Sequence, residues 1–424
     1  MEMLNVKEAF KGKSAIMKNR LLAGIACAIV ATCAHAADFN PRKFGAKGDG
    51  VTLDTEAVQG AIDTAHKAGG GRVVLEGGVF KTGTIYLKSH VEFHLSAGAV
   101  LLGSDSMDDY NALDAFPQNG SINRIEGWRA HHLVLCIEQE DVSITGEGTI
   151  DGNGRAFFGK TLRKPGKVSW RHGSFNCPVV KEAMRPGQTI EFVESRNLRV
   201  RDVRIKDPTA WGCFFHGCED VQVRGIKVES DIRNMNTDGI DIDSCRNVTV
   251  SDCIFRTGDD AIAIRGAPAR LKDKTRVCEN ITVVNCIAAV SATGCRIGVG
   301  KGTIRHVAIS NFIVETAGTG VHVQSVYGKG PGGVDISDIS FVNCSLRDCA
   351  VAISVSGVNG TPPRHISFSD MLIEETDIVE GPMVHISEAE RPVFRNVRFV
   401  RNGGQAREMT ESDVTPIPAD GCYM

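Results

Sequence analysis

Beyond residue 36 the 424-residue chain has no apolar run long enough to cross a bilayer, which excludes a helical membrane span for everything after that point. Its cysteines never fall as a CxxC pair, so their spacing gives no reason to expect a zinc site. Charge of one sign is also scarce. The formal balance is −3, and residues 1–36 carry five Lys/Arg against two Asp/Glu, which leaves −6 for the remainder. So mild an acidic excess gives no general attraction to nucleic acid or to any polyanion, and an anionic ligand would need a local patch. Between the strand-like segments no helical pattern is long enough for a βαβ crossover, which disfavours a doubly wound sheet or an α/β barrel.

What is present begins with an export signal. Met17-Lys18-Asn19-Arg20 is basic, Leu21 to Cys33 is apolar but short, and Ala34-His35-Ala36 fits a small-x-small cleavage site. The expectation is a secretory leader over residues 1–36, with an upstream extension before Met17, and a secreted or periplasmic mature chain over 37–424. Twelve of the 14 cysteines lie in that mature part. Close pairs such as Cys213/Cys218 and Cys344/Cys349 suit disulfides in an oxidising compartment. Cys253, Cys286 and Cys344, each following Asp or Asn, suit instead buried thiols stacked from one repeat to the next.

A repeated phrase organises residues 140–400: a polar residue, a β-branched alternation, a polar turn and a second short run. Asn197, Asp220, Asn247, Asn280, His306, Asp338 and His365 begin successive copies, at intervals of 23, 27, 33, 26, 32 and 27 residues. Aliphatic residues fall on one face of each run, and the interval suits three or more strands per coil. The expected fold is all-β, a right-handed parallel β-helix forming one domain over 37–424. A sandwich or propeller would not readily explain why Asn/Asp and Cys return at similar phase. The open end of such a solenoid needs cover. Residues 54–68 supply it as a helix, with Asp54 as N-cap, an apolar stripe of Ala57, Val58, Ala61, Ile62 and Ala65, and Gly69-Gly70-Gly71 to end it. The tail after Gly403 reads as irregular.

The chemistry concentrates in Asn236-Thr237-Asp238-Gly239-Ile240-Asp241-Ile242-Asp243 and Thr257-Gly258-Asp259-Asp260-Ala261-Ile262-Ala263-Ile264. Asp238 precedes Asp259 by 21 residues, about one coil, so neighbouring coils gather the acids. Strict alternation would point Asp238 and Asp260 inward with the isoleucines, at a cost of several kcal/mol. Gly239 and Gly258 are expected to permit bends that turn both carboxylates into a groove.

Asn236-Thr237-Asp238-Gly239 followed by Gly258-Asp259-Asp260 resembles the paired signature of glycoside hydrolase family 28, the polygalacturonase family. The likeness extends to Phe44–Gly50, Ile144–Gly154, Arg185-Pro186 with Ile190-Glu191-Phe192, and Pro208–Trp211. It implies inverting hydrolysis of a glycosidic bond in a pectic polysaccharide or oligosaccharide. Asp259 would be the acid, and Asp238 with Asp260 would hold and deprotonate the water. It further implies no cofactor, no metal, no nucleic acid and a monomer. Asn236, Trp211, Arg296, His322, Gln324 and Lys329 complete the candidate site as sugar-binding residues.

Two departures bear on the substrate. The family's Gly-His-Gly aligns with a stretch that puts Ala292 at the histidine, and its Arg-Ile-Lys aligns with His322-Val323-Gln324. The pair of cations that would grip a galacturonate carboxylate is replaced, which leaves exo-acting, rhamnogalacturonan-directed and side-chain activities open. Two readings of other classes compete: a β-helix polysaccharide lyase using calcium and a basic residue, and a carbohydrate-binding homologue with impaired catalysis.

Overall fold

Each repeat becomes one coil of three short parallel strands. Arg246–Ser251, Ile254–Thr257 and Ile262–Gly266 make one coil, and Cys278–Val284, Ile287–Val290 and Thr293–Gly300 make the next. Each strand of the first pairs in parallel with its counterpart in the next: Val248 lies opposite Ile281, Phe255 opposite Ala288 and Ile262 opposite Cys295. Three faces result, called here first, second and third in the order the chain visits them. The molecule is a right-handed parallel β-helix. Its computed structural model describes residues 37–111, 131–159, 185–326, 332–358, 360–375, 383–401, 403–410 and 414–416. The leader expected over 1–36 and the position of Lys329 lie outside the described residues. Phe39–Met424 form one compact unit.

Period-two alternation fills the core. Val248, Val250, Phe255, Ile262 and Ile264 are fully buried within one coil, and side chains of like type stack between coils, as Phe192 does on Phe215 with centroids 4.9 Å apart. The recurring polar residues have a backbone reason. Asn247, Asn280, Asn285, Asn311 and Asn343 all hold a left-handed φ between 52° and 59°, which Asn tolerates better than other side chains with a Cβ. Those at the corner between first and second faces also form a ladder: Asn343 Nδ2 donates to Asn311 Oδ1 at 2.8 Å, and Asn311 Nδ2 to Asn285 Oδ1 at 3.0 Å. The ten cysteines among the described residues are all buried free thiols. Cys253, Cys286 and Cys344 each direct Sγ to the carbonyl two residues back, so stacking, not cross-linking, explains their phase.

The N-terminal cover is the helix Thr55–Lys67, which buries Val58, Ala61, Ile62 and Ala65 while Ala57 stays half-buried. Asp54 occupies the N-cap position but makes no side-chain cap bond; its carboxylate accepts from the N–H groups of Lys47 at 2.7 Å and Gly48 at 2.8 Å. It ties down the incoming loop instead of the helix end. The C-terminal tail is more regular than its sequence suggests. Arg407–Glu408 pairs antiparallel with Arg398–Arg401, and Val414–Pro416 extends the third face alongside Val384–Ser387. Among the described residues no helix is long and apolar enough to cross a membrane.

Candidate active site

Two turns, one coil apart, deliver the acids at the corner between the second and third faces. The lower turn runs from Ser230 to Gly239 and the upper from Gly258 to Ala261; each feeds a third-face strand, with Ile240 opposite Ile262. The turns are stitched together. Gly258 N–H donates to Thr237 Oγ1 at 3.0 Å, Thr237 Oγ1 donates to Asn234 O at 2.9 Å, and Gly239 N–H donates to Asp260 O at 2.8 Å. The glycines serve this close approach and not a left-handed bend, which corrects the expectation from sequence. A Cβ on Gly258 would lie 2.0 Å from Asn234 O, and one on Gly239 would lie 2.4 Å from Ala261 O. The left-handed residue is Asn236, at φ 55°. Asp238 and Asp260 stand ahead of the strands that carry the isoleucines, which is how both acids escape the core.

One carboxylate oxygen each from Asp238, Asp259 and Asp260 lies within 4.8 Å of the other two. Asp238 sits one coil below the turn that carries Asp259 and Asp260, and neighbouring strands are about 4.8 Å apart. The Asp259 carboxylate accepts from the backbone N–H of Asn236 at 3.0 Å and of Asp260 at 3.1 Å. Burial, and then the Asp260 charge, push its pKa up to about 7, against the opposing pull of Arg296 and the two N–H donors. Asp238 is buried, and its Oδ1 has no hydrogen-bond partner among the described residues. Burial, Asp259, Asp241 and Asp260 together hold its carboxyl well above the usual carboxylate range, with Arg265 opposing. Asp260 is ion-paired: Arg296 donates to it through Nε and, at 3.3 Å, through Nη2, which also reaches Thr293 Oγ1 at 3.1 Å. The three oxygens stand close enough to share one water or one divalent cation, because opposite ligands of a calcium ion are about 5 Å apart. Arg296 disfavours the cation, since it already supplies positive charge at Asp260.

The third face continues the site across the coils. Asp241, Ala263, Arg296, His322, Ser354 and His385 follow one another in strict register on its outer side. His322 is half-buried, and its pKa is pushed down to about 3 by burial and then by the Arg296 and His385 charges, so it is neutral at pH 7. Gln324 sits opposite Gly298 and Ser356, also half-buried. Ala292 lies in the turn that stacks directly on the upper acid turn, where Ser291 N–H donates to Thr257 O at 3.2 Å and Ser291 Oγ to Gly258 O. It brings a methyl group and no titratable atom.

Two expectations change. Trp211 is not an open stacking platform: it is 2% exposed, packs edge-on against Phe214 and carries the Arg265 guanidinium 4.4 Å from its ring centroid. Arg296 belongs to the acid cluster, not to a separate sugar-binding subsite, because its fork is bidentate on Asp260. Asn236 joins the site chiefly through its backbone N–H, while its side-chain oxygen accepts from Arg185 Nη2 at 3.2 Å. The residues that sequence reasoning missed are Arg265, Asp241 and Asp243, buried on the outer side of the third face. Their signal was available. Aligning Ile-Asp-Ile-Asp on Ile-Ala-Ile-Arg in register sets Asp243 opposite Arg265.

The model of glycosyl hydrolases family 28 matches residues 121–389. The chain belongs to that family. Among its relatives, an exo-poly-alpha-D-galacturonosidase of Dickeya chrysanthemi is 28% identical over 358 residues, covering 76% of this chain and 58% of the relative. A Vitis vinifera protein named as a probable polygalacturonase is 27% identical over 323 residues, covering 74% and 62%. The chain therefore spans about six-tenths of the length of these relatives. A family 28 exopolygalacturonase structure from Yersinia enterocolitica superposes with a TM-score of 0.64 at 21% identity, covering 88% of this chain and 78% of that one, which supports the fold.

Proposed function

We propose that this protein is a secreted polygalacturonase-like hydrolase that cleaves a glycosidic bond of a pectic polysaccharide or oligosaccharide with inversion. The observation that carries the reading is the acid cluster itself. Within 4.8 Å it sets an Asp259 carboxyl held protonated up to about pH 7 beside an Asp260 carboxylate paired with Arg296. A carboxyl that carries a proton beside one bound to a guanidinium offers a donor and an acceptor to one reaction.

In the proposed reaction Asp259 passes its proton to the glycosidic oxygen as that oxygen leaves the anomeric carbon. A water held by Asp260 and Asp238 adds to the opposite face and gives up a proton to that pair. One proton is donated and one accepted, so the cluster resets by exchanging a proton with solvent. The 4.8 Å figure concerns nearest oxygens, whereas the rule separating inverting from retaining enzymes, about 6.5–9.5 Å against about 5 Å, concerns carboxyl groups across the sugar. Direct attack by a carboxylate would give retention.

On the sugar itself, the names of the relatives support an α-galacturonide, and the third face supports a subsite held by hydrogen bonds from neutral His322 and from Gln324. Release of monomer or dimer from the start of a polygalacturonate digest would assign exo-action. Secretion through residues 1–36 belongs to the same proposal. The test is Asp259→Asn, whose amide donates no proton to the leaving oxygen. Release of reducing sugar from polygalacturonate should vanish while the far-ultraviolet spectrum stays native; hydrolysis at the wild-type rate would refute the assignment.

A further inference from the structure

In the coils on either side of the acids, the third face returns to the first by very short links. Gly217-Cys218 suffices between His216 and Glu219, Ser244-Cys245 between Asp243 and Arg246, and Lys301-Gly302 between Gly300 and Thr303. The coil that carries Asp259 and Asp260 breaks this pattern, because residues 267–277 lie between Gly266 and Cys278. A long connection inside a compact solenoid usually has work to do. This one runs back over the coils that precede it.

Its contacts descend coil by coil. Ala267 N–H donates to Asp243 Oδ1 at 2.8 Å, one coil back, and Ala267 O lies 3.4 Å from His216 Nε2, two coils back. Leu271 is fully buried and closes on Gly217, where a Cβ would lie 2.7 Å from Leu271 Cδ2. Lys272 N–H donates to Glu194 Oε1 at 2.8 Å, three coils back, and its Nζ pairs with Glu138 at 2.5 Å, four coils back. Arg276 then returns the chain to its corner, donating through Nε to Ser244 O at 3.0 Å and through Nη2 to Cys218 O at 3.2 Å. At about 4.8 Å per coil the strap reaches back about 20 Å from the acids.

The outer side of the third face is covered along this stretch. Glu191, Phe214 and Asp241 follow one another there in register and are 2%, 1% and 0% exposed. His132 Nε2 stands 2.8 Å from Glu191 Oε2, Trp211 packs edge-on against Phe214, and the His216 ring lies on the other side of Phe214 with centroids 5.3 Å apart. Past the acids the face opens. Arg296, His322 and Gln324 keep part of their surface in solvent, and Ser354 and His385 beyond them are buried again. A sugar chain lying along the third face therefore finds room at the acid coil and the two coils that follow, and none on the coils that the strap spans.

We propose that the strap of residues 267–277, held by Leu271 and Lys272, closes the third face on one side of Asp259, so that a pectic chain enters only by a terminus and is shortened by one small product at a time. The inference rests on the reading of the protein as a hydrolase of pectic chains and assigns its mode of attack to this segment. An unstrapped third face would run as an open groove and admit the middle of a chain.

The experiment follows product length and viscosity in digests of polygalacturonate. With the wild type, the earliest products should be of one short length, and viscosity should stay near its starting value while reducing ends accumulate. A ladder of many lengths at the first time points overturns the proposal. Two variants then test the strap, with thermal melts to establish folding. One replaces residues 267–277 by a lysine-glycine linker like that of the next coil. The other, Leu271→Ala with Lys272→Glu, keeps the chain length and loosens the strap by setting a new carboxylate beside Glu138 and Glu194. In either folded variant mixed lengths should appear from the start, and viscosity should halve after about tenfold fewer cleavages than with the wild type. A folded variant of either kind that still yields products of one length overturns the proposal. Failure of the underlying reading looks different: the wild type would release no reducing ends from polygalacturonate, or Asp259→Asn would release them at the wild-type rate.

Discussion

Asp259→Asn should make the protein more stable as it makes it inactive, and only above a definite pH. The Asp259 carboxyl rises from 3.8 to about 7 on folding. A group whose folded pKa is raised contributes fully to stability below its unfolded pKa, and that contribution is lost as pH climbs through the folded value. At about 1.4 kcal/mol per unit, ionising Asp259 therefore costs the folded state about 4 kcal/mol by neutral pH, with the whole change between pH 4 and 7. Asparagine removes the charge but keeps one acceptor for the two N–H groups of Asn236 and Asp260, which returns about 1 kcal/mol. The net gain is about 3 kcal/mol. For residues 37–424 the entropy of unfolding is about 0.8 kcal/mol per kelvin, so Tm should rise by about 4 °C at pH 8 and not at all at pH 4. Thermal melts of wild type and variant across that range provide the assay. A gain independent of pH, or a loss at pH 8, would refute the claim that burial and the Asp260 charge load Asp259.

Other expectations follow from the same geometry. For the wild type, kcat/KM should fall on the alkaline side with a midpoint near 7, because the acid must carry its proton; a pH profile still flat at 9 would exclude Asp259 as donor. Arg296→Met removes a charge that holds Asp259 down and unpairs Asp260, so the alkaline limb should move up by about one unit while kcat falls about 10- to 100-fold. Gly258→Ala forces a Cβ to 2.0 Å from Asn234 O and must shift the acid turn, costing about 1–3 kcal/mol in a denaturant melt and about 100-fold in kcat. Asn311→Ala loses two ladder bonds and a side chain suited to its φ of 52°, so it should cost about 1–3 kcal/mol and leave kcat unchanged, as it lies on a different corner.

The coil and the acids were legible in the sequence because both depend on local rules. Alternation of Val248 and Val250 with polar neighbours names the buried face, and the Asn, Asp or His that opens each copy marks a left-handed position, which few other residues tolerate. Asp238 and Asp259 could be placed together because one repeat equals one coil. What escaped was lateral. Gly239 and Gly258 read as bends, yet their role is the contact between two turns, which no single strand reveals. Trp211 read as a sugar platform because its cover, Arg265, comes from a strand two coils later in sequence. Arg296 read as a sugar-binding residue because its partner Asp260 becomes its neighbour only when Ala263 and Arg296 stack. In a solenoid the pairing register is itself information, and stacking the repeats before assigning roles would have recovered all three.

The claim at the centre of this account is that Asp259 protonates the leaving oxygen while a water held by Asp238 and Asp260 attacks from the opposite side. Proton NMR of the first-formed reducing end, recorded before mutarotation in a digest of α-linked polygalacturonate, tests it most directly. The account predicts the β-anomer first; the α-anomer first would contradict it and make one of the three carboxylates a nucleophile.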